Sequence, residues 1–79
     1  MEQFILQELI SILDSKRKQG HVTVKKVYFM PILENTLAQK YPNFDFTKKW
    51  LPRGIIIEAA KHFNASYIVA KNGRSRIKF

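Results

Sequence analysis

The sequence predicts one α+β domain in which helices precede a C-terminal β-hairpin. Three observations lead to this prediction. Apolar residues recur at helical spacing over residues 2–18, a second helical run follows Pro52, and residues 66–79 hold two strand-like runs around Asn72-Gly73. At 79 residues the chain fits a single domain, residues 1–79, and its 46% apolar content is that of a globular protein. Because there is no cysteine, stability has to come from the core rather than from disulfides or thiolate-bound zinc.

The net charge of +8 is unevenly distributed along the chain. Residues 1–14 contain three acids and no base, whereas residues 15–79 contain all fourteen Lys and Arg residues and three acids. A basic domain with an acidic first helix predicts that one side of the molecule binds a ligand and that the first helix lies on the opposite side. Nucleic acid is the commonest partner of such a charge distribution.

Membrane insertion and export are not expected. The apolar runs reach at most four residues, whereas a membrane helix needs about 20. Acids precede the first base, which is the reverse of a signal peptide. The bases also belong to a hairpin and to loops, and not to one face of an amphipathic helix. We therefore expect an intracellular, cytoplasmic protein without a membrane partner, associated with the nucleoid if it binds DNA.

The first helix is predicted over residues 2–18, with Gly20 as its C-cap. Its apolar residues spread over more than one stripe, which is typical of a helix buried on more than one side. Phe4, Ile5, Leu6 and Ile10 exceed what one three-helix core needs. We therefore expect a homodimer that forms through this helix.

The next predicted elements are a short strand near Val22–Val24 and a helix that runs to about Lys40. Residues 26–30 could either prolong the strand or open the helix, and the second interpretation is favoured. The strand follows from the alternation of residues 21–25. Pro31 lies near the start of the helix or at a kink, because proline lacks an N–H. The expected buried line of this helix is Val27, Met30, Leu33 and Leu37.

Residues 41–45 form the clearest break in the chain, a loop held by two aromatic residues. The third helix is predicted over residues 52–63. Its expected buried face is Ile55, Ile56, Ala59, Ala60 and Phe63. Arg53, Ile57 and Lys61 lie elsewhere on the helix, and the exposed Lys48 and Lys49 precede it.

The hairpin is predicted to turn at Asn72-Gly73, because a type I′ turn needs a positive φ at both central residues. A two-residue loop places Ile68 opposite Ile77 and Val69 opposite Arg76. Side chains alternate along a strand, so one face is apolar and the other cationic. The apolar face holds Ile68, Ala70, Ile77 and Phe79, and the cationic face holds Arg74, Arg76 and Lys78. Two interpretations stay open: a surface for a polyanion, or an edge hairpin whose cations only prevent aggregation.

The element order resembles the winged helix-turn-helix superfamily: three helices, a short strand and a C-terminal β-hairpin wing. The resemblance is one of layout over nearly the whole chain. It implies a DNA-binding protein, a small transcriptional regulator whose third helix enters the major groove and whose wing contacts the backbone or the minor groove. Carried onto this sequence, it predicts a nucleic-acid site of Lys48, Lys49, Arg53, Lys61, His62, Lys71, Asn72, Arg74, Arg76 and Lys78.

A second resemblance keeps other partners open. The layout is also similar to the LOTUS-type winged-helix module, which is associated with RNA and with protein partners. Duplex DNA is the preferred ligand, and the alternatives are an RNA-binding module or a protein-interaction module in a nucleic-acid machine.

Enzyme chemistry is not expected. His21 and His62 stand far apart in the chain, and the six carboxylates form no cluster for acid–base work. The three glycines form no phosphate-binding loop. We expect no catalytic residue, no metal and no cofactor. The core is expected to contain Leu9, Ile12, Leu13, Leu37, Ile55, Ala59, Phe63, Ile68 and Ile77, with Trp50 partly buried.

Overall fold

The computed structural model describes residues 3–79 and shows a small α+β domain of three helices and a three-stranded antiparallel sheet. The elements are α1 (Gln3–Lys18), β1 (Thr23–Lys25), α2 (Lys26–Lys40), α3 (Arg53–His62), β2 (Ser66–Ile68) and β3 (Arg76–Lys78). The predicted start of the first helix at Glu2 lies outside the described residues. No helix within residues 3–79 is long and apolar enough to span a bilayer.

Helix α1 is the centre of the helical layer, because it packs against both α2 and α3. Ile5, Leu9 and Leu13 are its fully buried residues, spaced four apart along one face. The helix ends at Lys18 and is capped by Gly20, which has a φ of +92°. The Gly20 and His21 N–H groups donate to the Arg17 and Lys16 carbonyls, the pairing of a Schellman cap. The predicted C-cap is confirmed.

Helix α2 buries a different line from the predicted one. Phe29, Leu33 and Leu37 are fully buried, whereas Met30 is half-buried and Val27 is 56% exposed. Because each residue turns the helix by about 100°, Val27 lies roughly 200° away from Phe29. The larger Phe29 side chain fills the core, and Val27 faces outward. Pro31 lies inside the helix, beyond its first turn, and is exposed.

The predicted short strand is present one residue later than expected, at Thr23–Lys25, and it belongs to the same sheet as the hairpin. The strand order is β1-β3-β2, so β3 is central. Val24 lies opposite Ile77, which in turn lies opposite Tyr67. Val24 and Ile77 are buried and Tyr67 is half-buried against the core, so this row faces the helices.

The core confirms most of the predicted residues. Leu9, Leu13, Leu37, Ile55, Ala59 and Ile77 are buried, and Trp50 is partly buried. Ile12, Phe63 and Ile68, which were also expected in the core, are half-buried, and Ile12 and Phe63 pack against it. Ile12 lies at the edge of the buried face of α1. Ile68 is displaced by a change in hairpin register described below.

The connection between α2 and α3 is packed by its own aromatic residues. Phe44 contacts Phe46 and Trp50, with ring centroids 4.8 and 6.0 Å apart. Phe4 of α1 packs on the Tyr41 ring at 4.6 Å and on Phe44 at 5.8 Å. This connection, residues 41–52, therefore closes over one end of α1.

The same contacts change the argument for a homodimer. Among the apolar α1 residues on which that prediction rested, Ile5 is fully buried, and Phe4, Leu6 and Ile10 are half-buried against the core of the same chain. The large apolar side chains that are most exposed lie elsewhere: Val22, Val27, Tyr28 and Val69. The homodimer stays a prediction, but the apolar surface of α1 is largely accounted for within one chain.

Candidate nucleic-acid interface

The hairpin turn forms where the sequence places it. Asn72 and Gly73 have φ values of +58° and +71°, as both central residues of a type I′ turn require. The Arg74 N–H donates to the Lys71 carbonyl at 3.3 Å and closes the turn. Lys71, Asn72 and Arg74 are exposed at this tip. The wing tip, defined as residues 71–74, therefore presents two cations and an amide to solvent.

The register of the strands differs by one residue from the prediction. Ile68 lies opposite Arg76 and Tyr67 lies opposite Ile77, whereas a plain two-residue loop pairs Ile68 with Ile77. Between the last pair and the turn, Val69 and Ala70 stand against Ser75 alone, which makes a β-bulge.

The Ser75 side chain holds this bulge together. Its hydroxyl accepts a hydrogen bond from the Ala70 N–H and donates one to the Ala70 carbonyl, both at 3.0 Å. The hydroxyl thus takes the place of a backbone partner, and the extra residue, Val69, is 54% exposed. The bulge moves Ile68 to the outer face and brings Tyr67 to the core face, as the period of two along a strand requires.

The outer face of the sheet is cationic despite this shift. Because Ile77 is buried, Arg76 and Lys78 on either side of it point to the outer face. Lys25 of β1 lies directly opposite Arg76, and Thr23 lies opposite Lys78. Lys25 and Lys78 are exposed, and Arg76 is half-buried. We call Lys25, Arg76 and Lys78 the cationic sheet face.

The charges of this face are not neutralised by the part of the chain that the structure describes. Its two ion pairs are Lys18 with Asp14 at 3.0 Å and Lys40 with Glu8 at 2.6 Å, and both lie on helices. The Glu8 carboxylate raises the pKa of Lys40, through a hydrogen bond first and through its charge second. By contrast, within residues 3–79 the Arg76 guanidinium donates only to the Arg74 carbonyl, at 3.1 Å. Like charges directly opposite each other in a sheet are destabilising, so an anion bound to Lys25 and Arg76 would relieve repulsion.

The remaining predicted residues lie on a different part of the molecule. Arg53 begins α3, and Lys61 and His62 end it, all three exposed. Ile57 lies one turn from both Arg53 and Lys61 on the same helix face and is 36% exposed. The acidic Glu58 is also exposed on α3. Lys48 and Lys49 are exposed in the 41–52 connection.

The structure thus divides the predicted site into two groups. It joins Lys71, Asn72, Arg74, Arg76 and Lys78 in one hairpin, and it places Lys48, Lys49, Arg53, Lys61 and His62 on α3 and the connection before it. Sequence reasoning missed Lys25. The alternation of residues 21–25 could have indicated this residue, because a buried Val24 implies that the Lys25 side chain points outward. The pairing of β1 with β3, which places Lys25 beside Arg76, was not predicted.

Comparisons with protein-family models, with curated proteins and with solved structures give no significant match to this chain.

Proposed function

We propose that this chain is a winged-helix domain that binds nucleic acid, with duplex DNA preferred, through α3, the wing tip and the cationic sheet face. The layout supports the fold assignment, because a helix, a strand, two helices and a hairpin follow one another and the first strand joins the hairpin in the order β1-β3-β2. Fold alone does not give function, so the argument rests on the surface.

The observation that carries the proposal is the cationic sheet face. Lys25 and Arg76 are cross-strand neighbours of like charge, and no carboxylate within residues 3–79 forms an ion pair with either. The wing tip extends the same hairpin with Lys71 and Arg74. A phosphate backbone offers the repeated negative charges that such a row of cations binds, and contacts of this kind supply most of non-specific affinity.

In this proposal α3 supplies the contacts to bases. Arg53, Ile57 and Lys61 lie along one exposed helix face, so a groove-bound α3 would place a guanidinium, an apolar side chain and an ammonium against base edges. The role proposed for the chain is that of a small transcriptional regulator in the cytoplasm.

One observation favours a second candidate, an RNA-binding or protein-interaction module of the same fold. A helix-turn-helix joins its two helices by a turn of about three or four residues. Here residues 41–52 separate α2 from α3, and their aromatic residues pack against α1. This connection distinguishes the chain from a compact helix-turn-helix and leaves the choice of nucleic acid to experiment.

Binding to random duplex DNA, single-stranded DNA and structured RNA, each at two salt concentrations, tests the ligand class. Duplex DNA should bind most tightly, with an affinity that falls steeply with salt. Tighter binding of structured RNA would select the second candidate. No binding of any of the three at low salt would contradict a nucleic-acid function.

A triple variant, Lys71→Ala, Arg74→Ala and Arg76→Ala, tests the hairpin. Each phosphate contact contributes about 0.9 to the slope of log K against log salt on duplex DNA, so three lost contacts should reduce the slope by roughly two to three. Lys18→Ala with Lys40→Ala is the control, since these cations are already paired with carboxylates on helices. An unchanged slope in a triple variant whose circular dichroism is that of the parent would reject the hairpin as the contact surface.

A further inference from the structure

Strand β1 leaves one edge of the sheet open. The strand order β1-β3-β2 makes β1 an edge strand. Two hydrogen bonds show which residues of this segment bond to β3. The Phe79 N–H donates to the Val22 carbonyl at 3.0 Å, and the Lys26 N–H donates to the Ser75 carbonyl at 2.8 Å. In an antiparallel pair the bonding residues alternate, so Val22, Val24 and Lys26 turn their backbone groups to β3. The backbone groups of Thr23 and Lys25 turn the other way.

Three of these outward groups are available to a partner. The Lys25 carbonyl begins α2, because Lys25 is the N-cap residue of that helix. The Thr23 N–H, the Thr23 carbonyl and the Lys25 N–H have no hydrogen-bond partner within residues 3–79. They form a donor–acceptor–donor row along the strand edge.

A groove runs beside this edge. It is a cavity of about 280 Å³ lined by Lys16, His21, Thr23, Val24, Lys25 and Tyr28. Its charged lining residues, Lys16 and Lys25, are both cations. The side chains of Val22 and Tyr28, on either side of the strand in sequence, are 72% and 66% exposed. The groove therefore combines a positive field, exposed apolar surface and an unpaired strand edge.

We propose that the β1 edge binds an extended segment of another protein in which acidic and apolar residues alternate, and that this segment adds to the sheet as a fourth strand. The added backbone would bond to the Thr23 N–H and carbonyl and to the Lys25 N–H, as in β-strand addition. Its acidic side chains would share the outer face with Lys25 and relieve the repulsion between Lys25 and Arg76. Its apolar side chains, pointing the other way, would lie against Val24 and Tyr28.

The edge chemistry favours a peptide over a nucleic-acid phosphate at this place. A phosphate group only accepts hydrogen bonds, so it can meet the two N–H groups but not the Thr23 carbonyl between them. A peptide strand carries both donors and acceptors at the spacing of the row. This proposal shares the Lys25 side chain with the cationic sheet face of the proposed nucleic-acid function. It differs in resting on the backbone groups of Thr23 and Lys25, which the nucleic-acid function does not use.

The probe is a set of capped hexapeptides in which Asp or Glu alternates with Val, Ile or Leu, with a matched set in which Lys replaces each acid. Titration into the ¹⁵N-labelled protein should shift the Thr23 and Lys25 amide signals most. Affinity should fall as salt rises, and the Lys set should not bind. If no acidic peptide binds, or if the shifted amides lie on α3, the proposal is wrong.

Two substitutions at Lys25 distinguish the contribution of its backbone N–H to peptide binding from the contribution of its side-chain charge. Lys25→Ala removes the ammonium and keeps the N–H. Lys25→Pro removes both the ammonium and the N–H. Proline is compatible with the backbone here, because Lys25 has a φ of −71°, close to the value that proline imposes. Because Lys25 does not donate to β3, the sheet should survive either change. Lys25→Pro should bind the acidic peptide about tenfold more weakly than Lys25→Ala, the effect of one lost hydrogen bond.

The comparison is completed with a single-stranded oligonucleotide as a second ligand. Its affinity should be the same for Lys25→Pro and Lys25→Ala, since only a charge is lost in both. Equal peptide binding by the two variants would overturn the strand-addition proposal. A loss confined to the oligonucleotide would overturn it in favour of nucleic acid at this edge.

Discussion

Glycine serves opposite purposes at two residues of this chain. Gly20 caps α1 with a φ of +92°, a conformation that a residue with a Cβ adopts only at a cost. Gly54 lies in α3 without a positive φ, and a Cβ added there would meet nothing within 4 Å. The first glycine is required by its conformation, and the second only adds flexibility to the unfolded chain.

Alanine substitutions at these two glycines should therefore change stability with opposite signs. Gly20→Ala should lower the free energy of unfolding by about 1 kcal/mol. Gly54→Ala should raise it by roughly 0.4–1 kcal/mol, because alanine favours a helix and restricts the unfolded chain. Denaturant unfolding of the two variants measures both effects. A stabilising Gly20→Ala would mean that α1 does not end in the left-handed cap described above.

Asp45 is a residue whose pKa the fold lowers. Its carboxylate accepts hydrogen bonds from the Thr47 hydroxyl and the Thr47 N–H, and these hold its pKa below the ordinary value of 3.8. A lowered pKa means that the ionised form stabilises the fold above the unfolded pKa. That contribution is lost as the pH falls through the folded pKa.

Thr47→Val should raise the Asp45 pKa toward 3.8, because it removes the hydroxyl donor and keeps the N–H. Carboxyl chemical shifts followed through an acid titration measure this change. Thr36→Val is a matched control, since the Thr36 hydroxyl donates to the Ile32 carbonyl and not to Asp45. If the Asp45 titration is the same in both variants, the Thr47 hydroxyl does not set its pKa.

At the scale of the elements, the hairpin depends on one side chain. The bulge at Val69 and Ala70 has lost a backbone partner, and the Ser75 hydroxyl replaces it with two hydrogen bonds. The same bulge decides that Tyr67, and not Ile68, lies opposite Ile77. Ser75 is thus a structural residue within the proposed binding element.

Ser75→Ala should destabilise the protein by about 1–2 kcal/mol, the combined effect of two hydrogen bonds at a half-buried position. Hydrogen exchange at the Ala70 amide should accelerate at the same time. Ser66→Ala on β2 serves as the control, because Ser66 is exposed and its loss should stay within about 0.5 kcal/mol. Equal effects of the two substitutions would show that the hydroxyl does not hold the bulge.

At the scale of the whole molecule, self-association through α1 remains the open prediction. A dimer would have to use half-buried residues such as Phe4, Leu6 and Ile10, since Ile5, Leu9 and Leu13 are fully buried within one chain. Sedimentation at the highest soluble concentration should then give twice the chain mass of 9.3 kDa. Leu6→Glu should return the protein to one chain, whereas Gln7→Glu, on an exposed neighbour, should not. A single-chain mass for the parent protein with and without DNA would contradict the prediction.

Local signals in the sequence were sufficient for the helices and for the turn. The periodicity of α1, the Gly20 cap and the run from Ile55 to Ala60 depend on residues close together in the chain, and so does the Asn72-Gly73 turn. The sequence pattern also predicted which side chains of β3 face the core. An alternating strand with a buried Ile77 must present Arg76 and Lys78 on its other face. The cationic character of the hairpin was therefore determined by the sequence itself.

Only the tertiary structure decided how these elements meet. The register of β2 depends on a bulge closed by the Ser75 hydroxyl, and no local pattern distinguishes it from a plain hairpin. The position of Lys25 opposite Arg76 depends on pairing between strands about fifty residues apart, which sequence periodicity does not encode. The choice of Phe29 rather than Val27 as a core residue was likewise decided by the tertiary structure. Only the packing of the helices determines which side of α2 is covered.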